Sequence, residues 1–130
     1  MIIDTSAIIA VLRKEPGYEQ LQAAFDRDEV RLMSAATLLE ASIVLEMQAG
    51  PSATSELDVI VQALGIQVVP FDLSQMAFAR DAYRRFGKGR HPAALNFGDC
   101  FSYAACRSSG EPLLFVGSDF SKTDIAAVEW

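Results

Sequence analysis

The residues of this chain best suited to chemistry are acids in unusual company. Asp4 follows Ile2-Ile3 and precedes Thr5-Ser6 and an apolar run, so it stands between a short buried strand and a helix. It reads equally as a helix cap or as a site residue. Glu40 lies in SAATLLEASIVLE and, at helical spacing, shares a face with Ala36, Ile43, Val44 and Met47. A glutamate on an apolar stripe needs a partner, a proton or a polar cavity. Asp99 sits in Asn96-Phe97-Gly98-Asp99-Cys100-Phe101, where Asn96 can cap a helix and leave Asp99 in its first turn. Its apolar neighbours bring it close to the core. Asp119 follows a core strand in Phe115-Val116-Gly117-Ser118-Asp119-Phe120, as a turn residue or a further site acid. Asp124 reads as a surface or capping residue, and Glu46 as a solvated charge.

Carboxylates brought together repel, by roughly 4 kcal/mol at ~4 Å and an effective dielectric of about 20. A cluster of three or four therefore takes up protons or a cation. Without a Cys–His ligand set, an all-oxygen cluster suits a hard ion, Mg²⁺ or Mn²⁺. Such ions activate water and stabilise charge on a phosphate.

The elements that must position these acids alternate. Short apolar runs at 2–3, 30–33, 66–69, 113–116 and 125–129 read as strands. Helical periodicity covers the stretch after Asp4 to about Glu15-Pro16-Gly17, then 18–28, 34–49, 52–64, 74–86 and 98–108, with Ser34 as a cap and Gly50-Pro51 as a stop. The stretch 87–91 reads as a mobile, basic loop. Strands alternating with helices predict an α/β fold, one domain over 1–130, with a mostly parallel sheet of about five strands flanked by helices. In such a sheet, functional groups collect at the carboxyl ends of the strands.

Composition narrows the function. Hydrophobic residues make up 51% and charged residues 22%, the balance of a chain that folds around a core. No apolar run is long enough for a membrane span, and MIIDTSAII has no basic region before it, so no signal peptide is expected and the chain is placed in the cytoplasm. Cys100 and Cys106 read as small buried residues in a reducing compartment. The formal charge of −6 argues against a protein that coats nucleic acid nonspecifically. Five of the 11 Lys and Arg residues nonetheless fall together, at Arg80, Arg84, Arg85, Lys88 and Arg90, with the one histidine, His91, adjoining. This stretch is a phosphate grip or a solvated helix face in which Asp81 pairs with Arg84 or Arg85.

Taken together the segments resemble the PIN-domain ribonucleases of the VapC toxin family. MIIDTSAIIAVLRKEP is similar to the family's opening, SAATLLEASIVLE to its glutamate segment, FGKGRHPAALNFGDCFSYAAC to its second aspartate region and PLLFVGSDFSKTDI to its last acidic segment. The resemblance spans essentially the whole chain, in the expected order. It implies Mg²⁺- or Mn²⁺-dependent RNA cleavage with Asp4 and Asp99 as metal ligands and Glu40 holding the ion or its waters. Thr5 and Ser6 would add hydroxyl contacts nearby, Ser6 being equally a helix cap, and the resemblance also implies a VapB-type antitoxin and a homodimer. On the phosphate-grip reading of the basic stretch, Arg84, Arg85, Lys88 and Arg90 contact RNA phosphates. Helices at 18–28 and 35–64 would supply the protein-binding surfaces. The tail departs from the commonest family pattern, a Thr-x-Asp at the strand end, since Phe115 and Gly117 occupy those positions. Asp119 then completes the site, or three acids hold the metal. The altered tail leaves a second reading open, a catalytically impaired PIN domain acting as a binding partner. A phosphatase with Asp4 as nucleophile is disfavoured, because that chemistry wants an acid where Ser6 stands.

Overall fold

A computed structural model describes all 130 residues. The elements run in chain order as β1 (Ile2–Ile3), α1 (Thr5–Arg13), α2 (Tyr18–Arg27), β2 (Leu32–Ser34), α3 (Ala35–Ala49), α4 (Ser52–Ala63), β3 (Gln67–Val69), α5 (Leu73–Phe86), α6 (Asp99–Ser109) and β4 (Leu113–Leu114). A single 3-10 turn, Phe120–Lys122, follows β4.

The sheet is parallel throughout, in the order β3-β2-β1-β4, with Ile2 opposite Leu32 on one side and Leu113 on the other. It has four strands rather than five. The expected fifth, 125–129, contributes only an isolated bridge between Leu113 and Ala127. Its chain is held by two backbone bonds, Leu113 N–H to the Ala126 carbonyl and Val128 N–H to the Leu113 carbonyl, and by flanking side chains, Asp124 with Arg85 and Tyr103, and Trp130 Nε1–H to the Phe115 carbonyl.

Both faces of the sheet are covered, and successive strand residues point to opposite faces. Ile3 and Leu114 join a core with Ile8, Leu21, Phe25 and Leu45, whereas Ile2 and Leu113 join a second core with Phe86, Leu95 and Tyr103. Helix α1 is buried almost all round through Ala7–Val11, which explains its unbroken apolar run. It ends where Lys14 and Gly17 take positive φ, 53° and 92°. No helix is long and apolar enough to cross a membrane.

The strand order fixes where a site can form. Chain progress from β1 through β2 to β3 runs one way across the sheet, and β4 then lies on the other side of β1. The crevice of such a sheet opens at the carboxyl ends of the strands where the direction reverses. Here that point lies between the ends of β1 and β4.

Candidate active site

Asp4 stands at this switch point. Its backbone N–H bonds the Leu114 carbonyl at 3.0 Å, its side chain caps α1, and only 5% of the residue is exposed. The capping and site readings thus describe one carboxylate. Oδ2 accepts from the Ser6 N–H at 3.0 Å and the Ser6 hydroxyl at 2.6 Å, while Oδ1 accepts from the Ser102 hydroxyl at 2.7 Å. An ionised carboxylate offers about four acceptor positions. Three are taken, and one remains on Oδ1. The Ser6 oxygen itself accepts from the Val116 N–H at 3.0 Å, which ties the start of α1 to the chain leaving β4.

Glu40 reaches the same region from α3. The Thr5 hydroxyl donates to its Oε2 at 2.6 Å, with the Thr37 carbonyl 3.3 Å away. Burial first, and the charge of Asp4 second, push its carboxyl above the usual glutamate range, against the opposing Thr5 hydrogen bond. The face it was expected to share is not the buried one. Helix α3 buries Thr37, Ala41 and Leu45, while Ile43 and Met47 are 51% and 83% exposed. The helix is apolar on two sides, so hydrophobic spacing alone does not tell core from surface.

Asp99 begins α6. Its Oδ2 accepts from the Asn96 N–H at 2.7 Å and its own N–H donates to Asn96 Oδ1 at 3.0 Å, a reciprocal cap. Burial raises its carboxyl pKa to about 6, and the charges of Asp4, Glu40 and Asp119 act in the same direction against the Asn96 hydrogen bond. Asp99 therefore senses the other three acids at once. Between Asp99 and Glu40 lies Gly98: a Cβ built there would fall 1.8 Å from Glu40 Oε1. Asp119 is exposed at the start of the 3-10 turn and makes no capping bond.

No basic side chain is paired with Asp4, Glu40, Asp99 or Asp119. The donor set is all oxygen, partly buried and uncompensated, which fits a hard divalent cation. The acids are gathered but not closed into a cage, since no three of them stand together as a ready ligand group.

The basic stretch divides. Arg85 is committed to Asp124 at 2.8 Å and Asp81 at 3.4 Å, and it lies within 3.3 Å of the Tyr103 hydroxyl. Arg84 has a distant partner, Asp81 at 3.8 Å, and is 71% exposed. Arg90 lies over the Tyr83 ring, and Lys88 lines the largest concavity, a groove of about 810 Å³ that includes Phe71, Asn96, Phe97 and Phe101. Residues 87–91 form a hydrogen-bonded turn rather than a free loop, with Lys88 N–H bonded to the Leu95 carbonyl and His91 N–H to that of Gly87. His91 packs edge-on against Phe86. Both cysteines are free and buried, and burial pushes the Cys100 thiol up to about 11.

Sequence reasoning missed Ser102, which is fully buried and contacts Asp4 from α6. The available signal was its place three residues after Asp99, a hydroxyl within an otherwise apolar helical turn.

The family model for the PIN domain matches residues 1–126. Ribonuclease VapC of Mycolicibacterium smegmatis is 51% identical over 128 residues, covering 98% of this chain and 99% of the relative. Ribonuclease VapC30 of Mycobacterium tuberculosis is 48% identical over 98% of each chain. Among solved structures, Mycobacterium tuberculosis VapC20, described as a Sarcin-Ricin loop cleaving toxin, superposes with a TM-score of 0.79 at 18% identity, covering 98% of this chain and 97% of that one. VapBC2 from Rickettsia felis, bound to a DNA fragment from their promoter, gives 0.72 at 14% identity over 98% and 96%. At those identities the structures speak for the fold.

Proposed function

Because the chain belongs to the PIN-domain family and within it to the VapC ribonucleases, we propose that it is a toxin that hydrolyses RNA phosphodiester bonds with the help of Mg²⁺ or Mn²⁺. One observation carries the reading: Asp4 stands at the switch point of the sheet, its neighbour Thr5 holds Glu40, and Glu40 rests against Gly98 beside Asp99, with no basic side chain paired to any of the three acids. Asp4 and Asp99 would hold the ion, with Glu40 binding it directly or through water. A bound ion of this class supplies water activation and stabilisation of the charge developing on the phosphate.

The chain's own residues do the positioning. Ser6 and Ser102 fix the orientation of Asp4, Thr5 fixes Glu40, and the Asn96 cap fixes Asp99. Asp4 and Asp99 also lie at the starts of α1 and α6, where the helix dipole favours negative charge. Lys88, Arg84 and Arg90 have the freedom to meet flanking phosphates, whereas Arg85 is already held by carboxylates. The products expected of water attack on this bond in this family are a 5′-phosphate and a 3′-hydroxyl.

A VapB-type antitoxin is the proposed inhibitor and a homodimer the proposed assembly. Exposed apolar residues support both: Leu39, Ile43 and Met47 on α3 offer a surface for a second copy, and Val59 on α4 borders a groove with Leu12 and Ile60.

The test is direct. Purified protein should cleave RNA with Mg²⁺ or Mn²⁺ and not with a chelator, and Asp4→Ala and Asp99→Ala should abolish cleavage. Undiminished cleavage by both variants would sink the assignment.

A further inference from the structure

Gly98 occupies a position whose backbone gives no reason for glycine. Its φ of −64° and ψ of −44° are ordinary right-handed helical values. Any residue adopts them, and alanine is the better helix former. What singles out this position is space. The residue is buried, and a Cβ there would lie 1.8 Å from Oε1, 2.4 Å from Cδ and 2.6 Å from Oε2 of Glu40. The Glu40 carboxylate thus rests directly on the Gly98 Cα, with Thr5 holding its far oxygen at 2.6 Å.

We propose that Gly98 is a positioning residue for the reaction: its missing side chain is the seat that admits the Glu40 carboxylate beside Asp99 at the start of α6. The atoms a methyl would strike are the far end of a flexible side chain. A methyl at 98 therefore leaves the fold intact and displaces the carboxylate instead. The Thr5 hydroxyl then loses its short partner, and Glu40 leaves the acid cluster. The site consequence rests on the metal-dependent reading above, but the steric relation does not.

A four-member cycle separates the two. Parent, Gly98→Ala, Glu40→Ala and the double variant are compared by metal-free thermal unfolding and by calorimetric titration with Mn²⁺. Gly98→Ala should raise Tm in the Glu40→Ala background, where the methyl meets empty space, and raise it less or lower it in the parent. Mn²⁺ affinity should fall about tenfold or more in Gly98→Ala, with no further loss when Glu40→Ala is added. Pairing Gly98→Ala with Glu40→Asp, whose carboxylate is one methylene shorter, should restore part of the affinity. Equal Tm changes in both backgrounds overturn the inference whatever the metal does. Parent-like Mn²⁺ binding by Gly98→Ala overturns the positioning role. A coupled Tm cycle in a parent that binds no Mn²⁺ supports the Gly98–Glu40 relation while sinking the metal reading.

Discussion

The Ser102 hydroxyl donates to Asp4 Oδ1 at 2.7 Å across 98 residues of sequence, and both groups are buried. This bond joins the helix that carries Asp99 to the carboxylate that ends β1. Ser102→Ala should leave Asp4 Oδ1 without its partner and cost about 1.5–3 kcal/mol of stability, the range for a hydrogen bond to a charged group. Cleavage should fall about 10- to 100-fold, as for other groups that orient a metal ligand. Urea unfolding alongside RNA cleavage kinetics checks both, and an unaffected rate would remove Ser102 from the site.

Asp99→Asn separates stability from activity. The amide keeps an acceptor for the Asn96 N–H but removes a charge that Asp4, Glu40 and Asp119 all oppose. The metal-free variant should melt higher than the parent, and its cleavage should fall by more than the ~100-fold seen for outer-shell changes. A lower Tm in chelator would show that the repulsion is absent.

The pH dependence of the metal-free protein follows from the same residue. Folded Asp99 titrates at about 6, whereas an aspartate in the unfolded chain titrates near 3.8. The folded state therefore binds the extra proton between these values. Its contribution is fully present below pH 3.8 and is lost as pH rises through 6. Glu40, also raised, acts with the same sign. Asp28, Asp72 and Asp124 are lowered, so their contributions are lost only at more acid pH, below this window. Tm in chelator should thus rise from pH 7 to pH 5, and Mn²⁺ affinity should fall over the same interval as protons compete. A flat or opposite Tm profile contradicts the shared-acid site.

Neighbouring cations should behave differently. Lys88→Ala should leave Tm unchanged and reduce the salt dependence of RNA binding by about one phosphate contact. Arg85→Ala should lower Tm, because it removes the cation at 2.8 Å from Asp124 and leaves that carboxylate with the Tyr103 hydroxyl alone, with little change in that slope. Fluorescence anisotropy at several salt concentrations distinguishes them, and matching slopes for both variants would refute the division.

Much of this arrangement was legible in the residues. The α/β order emerged because each helix carries its own periodicity and punctuation, such as Ser34 before α3 and Gly50 after it. Asp99 was legible as a capped acid because Asn96 lies three residues away. The burial of α3 was not, because apolar residues on two sides of a helix look alike until partners are placed. Nor was the reduced fifth strand, since 125–129 has strand composition while long-range bonds from Asp124 and Trp130 set its path. Gly98 and Ser102 were hidden for a related reason: each matters through a residue more than fifty positions away.

The placement of β4 against β1 has a consequence for the order of events during synthesis. A nascent chain that has reached residue 98 already carries Asp4 and Glu40, but it lacks Asp99, Ser102 and the segment through β4 whose Leu114 carbonyl and Val116 N–H secure the start of α1. Chains grow and fold from the amino end on the ribosome. The acids of this protein therefore come together only when residues 99–116 have been translated, and a product truncated before them carries no assembled site.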